Sequence, residues 1–90
     1  MILVRTGQAG TLESSDILIT ISPAESASGI VLKLNSPVIK QYGCHIENVI
    51  KGVMHEQGIV HATIHANDRG ALDCTIKARM LTAIARSCEA

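Results

Sequence analysis

The chain has 90 residues, with eight basic and eight acidic side chains, four His, three Cys and a single aromatic. That length leaves no room for a second hydrophobic core, so residues 1–90 are expected to form one domain. Balanced charge gives no electrostatic footprint for nucleic acid, and the absence of Phe and Trp removes the stacking platforms that single-strand binders use.

Disorder is not expected at a hydrophobic fraction of 47%. Twelve Ile, seven Leu, six Val and ten Ala make the core aliphatic and rich in β-branched residues, a composition that favours sheet. No apolar run approaches the ~20 residues that cross a bilayer. Met1-Ile2-Leu3-Val4 is broken at once by Arg5, with neither an h-region nor a cleavage site. No membrane partner and a cytoplasmic location are therefore expected. Cys44, Cys74 and Cys88, odd in number and widely spaced, fit reduced thiols better than a disulfide framework.

Taken in chain order, the stretch from Met1 to Leu12 is apolar but interrupted by Gly7 and Gly10. Glu13-Ser14-Ser15-Asp16 is a polar cluster of turn-forming types and is expected to be a hairpin tip. Ile17, Ile19 and Ile21 then alternate with Leu18, Thr20 and Ser22, the two-residue period of a half-buried strand. A polar connection from Pro23 to Gly29 leads to a third strand, with Ile30, Leu32 and Leu34 on one face and Val31, Lys33 and Asn35 on the other. Ser36 suits an N-cap and Pro37 the first helical position. Val38, Tyr42, Ile46, Val49, Ile50, Val53 and Met54 predict an apolar helical stripe, with Glu47 and Lys51 as an i,i+4 pair. Gly43 and Gly52 weaken this helix and are expected to mark close packing, while Gly58 is placed to end it in a left-handed cap.

A fourth strand carries Val60, Ala62, Ile64 and Ala66 on one face and His61, Thr63 and His65 on the other. After the turn at Asn67-Asp68-Arg69-Gly70, Leu72, Ile76, Met80 and Ile84 recur at four-residue steps, joined by Leu81 and Ala83, as in a second helix. This order predicts an α+β two-layer sandwich, a sheet of about four strands with two helices packed on one face.

The residues offer little chemistry of their own. In a strand His61 and His65 stand about 13 Å apart, too far to share an ion, and His45 and His55 form no motif. No metal ligand set is predicted. Cys44 adjoins His45, but neighbouring helical residues do not face each other. There is no phosphate-binding glycine motif and no nucleophile elbow. Asp68 and Asp73 flank Gly70, yet each has a structural role open to it. Asp68 can cap the second helix, while Asp73 can pair with Lys77 and complement the helix dipole. No catalytic residue is predicted, and these patterns alone describe an α+β interaction module, with a small ligand-binding or regulatory α+β domain, in which Ser14 is merely a turn residue, as an alternative.

The tip changes that expectation. Ala9-Gly10-Thr11-Leu12-Glu13-Ser14-Ser15-Asp16 resembles the prosthetic-group attachment segment of the acyl carrier (γ) subunits of citrate lyase. Two further blocks carry the same resemblance: Asp68-Arg69-Gly70-Ala71-Leu72-Asp73-Cys74 continuing to Ala78-Arg79, and Asn35-Ser36 with Val38 and Lys40-Gln41-Tyr42-Gly43. The similarity runs from about Gly7 to Arg86, with the blocks in the family's order. It implies a covalently bound 2'-(5''-phosphoribosyl)-3'-dephospho-CoA, joined by a phosphodiester to the serine matching Ser14. The adjacent hydroxyl, Ser15, stands where family members also carry glycine. The resemblance further implies a terminal thiol holding acetyl or citryl while citrate is cleaved to acetate and oxaloacetate. Its implied partners are the α (acyl transferase) and β (citryl lyase) subunits, a prosthetic-group transferase and an acetate:thiol ligase. Beside Ser14, Glu13 and Asp16 are expected to repel the arm's phosphates. The carrier subunit of malonate decarboxylase is the nearest alternative, since it uses the same group on a similar small domain.

Overall fold

A computed structural model describes residues 3–24, 29–37 and 39–88. Its elements run β1 (Gly7–Ala9), β2 (Ile17–Ser22), β3 (Ile30–Asn35), α1 (Ile39–Glu56), β4 (Ala62–Asp68) and α2 (Asp73–Ser87). This is the α+β arrangement expected from the sequence. The four strands form one sheet in the order β1-β2-β4-β3. β1 pairs with β2, and β2 with β4, antiparallel; β3 and β4 are parallel. A parallel pair needs a long crossover, and the 18 residues of α1 supply it.

The alternation in the strands sets which face is covered. Ile21 lies opposite Ile64, which lies opposite Leu32; Ile19 lies opposite Ala66, which lies opposite Leu34. These rows meet Ile46, Ile50, Val53 and Met54 of α1 and Ile76, Met80, Ala83 and Ile84 of α2 in one buried cluster. Burying each of the larger aliphatic side chains contributes about 1.5–3 kcal/mol, so this cluster holds the fold without aromatic residues. α2 packs across β1 and β2, while α1 lies beside α2 and over β3.

Gly7 is where α2 comes closest to the sheet. A Cβ there would stand 2.6 Å from the Ser87 backbone nitrogen and nearer still to the Ala83 carbonyl oxygen. The segment before β1 is tied to the same helix end. The Val4 and Arg5 amides both donate to the Ser87 carbonyl at 2.8 and 3.1 Å. The Arg5 side chain donates to the Arg86 and Cys88 carbonyls at 3.0 and 2.9 Å. Among the described residues, the apolar opening thus contributes the three residues of β1 and a single bridge from Leu3 to Cys88. Gly10, with its positive φ, ends the strand after Ala9.

α1 ends as the sequence predicts. Gly58 adopts a φ of +69°, its amide donates to the His55 carbonyl, and the Ile59 amide donates to the Met54 carbonyl, each at 3.0 Å. Several apolar positions depart from the predicted core. Tyr42, Val60, Leu72 and Leu81 are exposed. Tyr42 lies in the first turn of α1, Val60 precedes β4, Leu72 is the N-cap of α2, and Leu81 falls off the stripe of Ile76, Met80, Ala83 and Ile84. Gly43 is buried and lines a hollow with Leu32 and Leu34 of β3. Gly52 is exposed, with nothing within 4 Å of where its Cβ would be, so it marks no packing contact. Val38 and residues 25–28 of the polar connection lie outside the described residues.

Candidate functional site

Seven residues, 10–16, join β1 to β2, and their local chemistry folds them into a defined tip. Gly10 turns the chain out of β1 with a φ of +97°, where any Cβ would meet the Ile17 carbonyl group. The Thr11 hydroxyl accepts the Glu13 amide at 3.2 Å and donates to Asp16 Oδ2 at 2.7 Å. The Asp16 amide donates to the Glu13 carbonyl at 3.2 Å, closing a turn with Ser14 and Ser15 at its centre. Ser15 takes a φ of +64°, at the turn position where a positive φ favours glycine. Glycine would meet that backbone requirement without strain.

The tip is clipped to the turn that follows β4. The Ser15 amide donates to the Arg69 carbonyl at 2.8 Å, and the Arg69 amide donates to the Asp16 carbonyl at 2.9 Å. These bonds continue the β2–β4 ladder past its last pair, Ile17 with Asp68. Asp16 adds a side-chain anchor. Arg79 on α2 donates to both its carboxylate oxygens, from Nε at 3.0 Å and from a terminal nitrogen at 2.9 Å. The Ile17 amide also donates to Oδ1, at 2.7 Å. The Arg79 hydrogen bonds first, then those from Thr11 and the Ile17 amide, hold the Asp16 carboxyl well below the usual carboxylate range. Asp16 is therefore neutralised by a partner and built into the tip. It does not present the free negative charge expected beside Ser14; only Glu13, exposed and with no side-chain partner, retains that character.

Ser14 itself is exposed, and its hydroxyl makes no hydrogen bond among the described residues. Together with Leu12 it borders a groove of about 520 Å³ whose other side carries Asn35, Asn67 and Arg69. The groove opens beyond the carboxyl ends of the parallel strands β3 and β4. Asn35 and Asn67 are register partners there, with Asn35 Nδ2 donating to Asn67 Oδ1 at 3.5 Å.

The remaining predicted side chains occupy structural positions. Asp68 is buried. Its Oδ2 accepts the Ser36 hydroxyl at 2.8 Å and its Oδ1 the Ala71 amide at 2.9 Å. It thus closes the turn ahead of α2 and does not cap the helix, whose N-cap is Leu72 without a side-chain bond. Asp73 stands in the first turn of α2 but pairs with His45 Nε2 of α1 at 2.9 Å; no ion pair joins it to Lys77 among the described residues. The Glu47–Lys51 pair forms at 3.0 Å. His65 lies exposed on β4, while His61 precedes the strand, half-buried, with an unpartnered Nδ1. Cys44 and Cys74 are exposed and Cys88 is buried, all as free thiols. Among the described residues no cluster of three His, Cys, Asp or Glu could hold a metal ion, and no helix is long and apolar enough to cross a membrane.

Arg79 and Arg69 are the site residues that patterns in the sequence do not reveal. Asp16 and Arg79 are 63 positions apart, and only the packing of α2 across the hairpin brings them together. Local signals mark only the turn itself: the polar residues Glu13 to Asp16, and the Thr11 hydroxyl two residues before the amide it accepts.

Known proteins share this architecture's sequence. The family described as malonate decarboxylase delta subunit (MdcD), of the ACP type, matches residues 4–87. A citrate lyase acyl carrier protein of Lacticaseibacillus casei is 53% identical over 79 residues, covering 88% of this chain and 76% of the relative. That of Rhodopseudomonas palustris is 51% identical over 87 residues, covering 97% and 88%. That of Halothermothrix orenii is 47% identical over 87 residues, covering 97% and 90%. On identities of this size across nearly its whole length, the chain belongs to the citrate lyase acyl carrier protein family.

Proposed function

We propose that this chain is the acyl carrier (γ) subunit of a cytoplasmic citrate lyase, bearing phosphoribosyl-dephospho-CoA on Ser14. The observation that carries the assignment is an exposed, unbonded Ser14 hydroxyl at the apex of a tip whose backbone is fixed on both sides. The donor set fits the group: a free primary hydroxyl for the phosphodiester, with the Arg69 cation in the adjoining groove. When bound, the group supplies a terminal thiol that carries acetyl and citryl units between the α and β subunits.

The chain's own residues act as a mount. Gly10, Thr11, Asp16 and Arg79 fix the tip, so a prosthetic-group transferase meets one presented hydroxyl without unfolding the ribbon. Tethering raises the effective concentration of the thiol at both partner centres, which requires no acid, base or metal ligand from the carrier. Ser15 is the less suitable attachment point, since its amide is bonded to Arg69 and its backbone conformation is one that glycine fills. An acetate:thiol ligase completes the proposed set of partners.

The test is intact-mass measurement on protein from a host that holds the attachment enzymes. The added mass is expected in the wild type and in Ser15→Gly and absent in Ser14→Ala. A Ser14→Ala protein that still acquires the group, or that supports normal citrate cleavage in the complex, would overturn the assignment. The MdcD family match supports a second reading, the carrier of malonate decarboxylase. Co-purification from the native host separates them: citrate lyase α and β subunits are expected on the first reading, malonate decarboxylase subunits on the second.

A further inference from the structure

We infer that the groove beside Ser14 is a seat for the phosphate-bearing root of the Ser14-linked arm, with Arg69 as its anion ligand. The inference rests on the carrier assignment and extends it to residues that hold the arm against the protein between transfers.

The four arginines are used unequally. Arg5 is spent on the Arg86 and Cys88 carbonyls, Arg79 on Asp16, and Arg86 on the Gln8 carbonyl at 2.7 Å. Among the described residues the Arg69 guanidinium alone has no partner, although its backbone is bonded at both ends to Ser15 and Asp16. An exposed arginine is ordinarily satisfied by water, so lack of a partner is not enough. What distinguishes Arg69 is that the same two backbone bonds that pin the tip also fix its Cα beside the attachment residue. A guanidinium so placed offers a planar fork to phosphate oxygens.

The nearby acidic groups do not cancel it. Both Asp68 oxygens are engaged by Ser36 and Ala71 within the fold, and Asp16 is compensated by Arg79. Glu13 is the one free carboxylate of the tip. The rest of the groove suits a sugar phosphate. Asn35 and Asn67 hold one another only at 3.5 Å and keep further donors and acceptors for hydroxyl groups, and Leu12 gives an apolar wall. At about 520 Å³ the volume lies within the range of small-molecule sites. It lies outside the carboxyl ends of the one parallel pair, β3 and β4.

The test compares unloaded and loaded protein by NMR, with loading verified by intact mass. Loading is expected to move the amides of Asn35, Asn67 and Arg69, the Arg69 side-chain Nε–H, and the 31P signal of the diester. In loaded Arg69→Gln the groove amide shifts should shrink about threefold or more. The 31P signal should move towards that of a free diester. Arg69→Lys, keeping the charge without the fork, should fall between. Arg69 uses only its backbone in the fold, so unloaded Arg69→Gln should melt at the wild-type temperature. If Ser14 is loaded but the groove signals stay put, or Arg69→Gln matches the wild type, the seat is wrong and the carrier assignment stands. If the mass shows no group on Ser14 from a competent host, both fail together.

Discussion

Asp16 draws together three parts of the chain: its own loop through Thr11, strand β2 through the Ile17 amide, and α2 through Arg79. Because its carboxyl is held below the unfolded value of about 3.9, ionised Asp16 adds stability at all pH values above that, and loses it as pH falls towards the folded value. Melting temperatures of wild type and Asp16→Asn should therefore differ at neutral pH and converge as the pH is lowered below about 4. Ser15 gives a prediction of opposite sign. A left-handed conformation costs an L-residue about 1–2 kcal/mol, and glycine returns part of that gain through its freer unfolded chain. In urea titrations Ser15→Gly should be at least as stable as the wild type, while Ser15→Val should lose about 1–2 kcal/mol.

The elements contain two glycines whose replacement by alanine should act in opposite directions. Gly52 sits in α1 with open space around its missing Cβ, so Gly52→Ala should stabilise by up to ~1 kcal/mol through helix propensity. Gly7 lies against the backbone of α2, so Gly7→Ala should destabilise by about 1–3 kcal/mol by forcing helix and strand apart. Chemical denaturation of the two variants side by side checks both. In the sequence Gly7 interrupts an apolar stretch and Gly52 is expected to mark close packing in the helix; neither reading fixes what the glycine faces, because that depends on distant residues. Local signals succeeded where one element decides the outcome. The Ile17, Ile19 and Ile21 alternation matched the buried face of β2, and Gly58 matched the end of α1. They failed at Tyr42 and Leu72, whose helical spacing is correct but which lie at helix starts, where little covers them.

At the scale of the whole molecule, the hairpin tip, the turn after β4 and the ends of β3 and β4 converge on one side of the sheet. Little of this site could be read from residue patterns. A polar turn at Glu13–Asp16 was evident, but its importance came from the family resemblance, and the arginines that complete it are brought there by the sheet order. The clip predicts a measurable coupling. In hydrogen exchange the Ser15 and Arg69 amides should be protected together, and both should lose protection in Arg79→Gln while the β2 core amides keep theirs. On the proposed function it also bears on how a carrier would serve two enzymes. A leash rooted in a loose loop could swing its free end around either flank of its bearer. With attachment at Ser14 as proposed, the root would be riveted to the body through the Ser15 and Arg69 backbone bonds, and the leash would sweep only the space above one end. On the proposed function, two client enzymes would then take turns at that single approach, or the carrier would be turned bodily from one to the other.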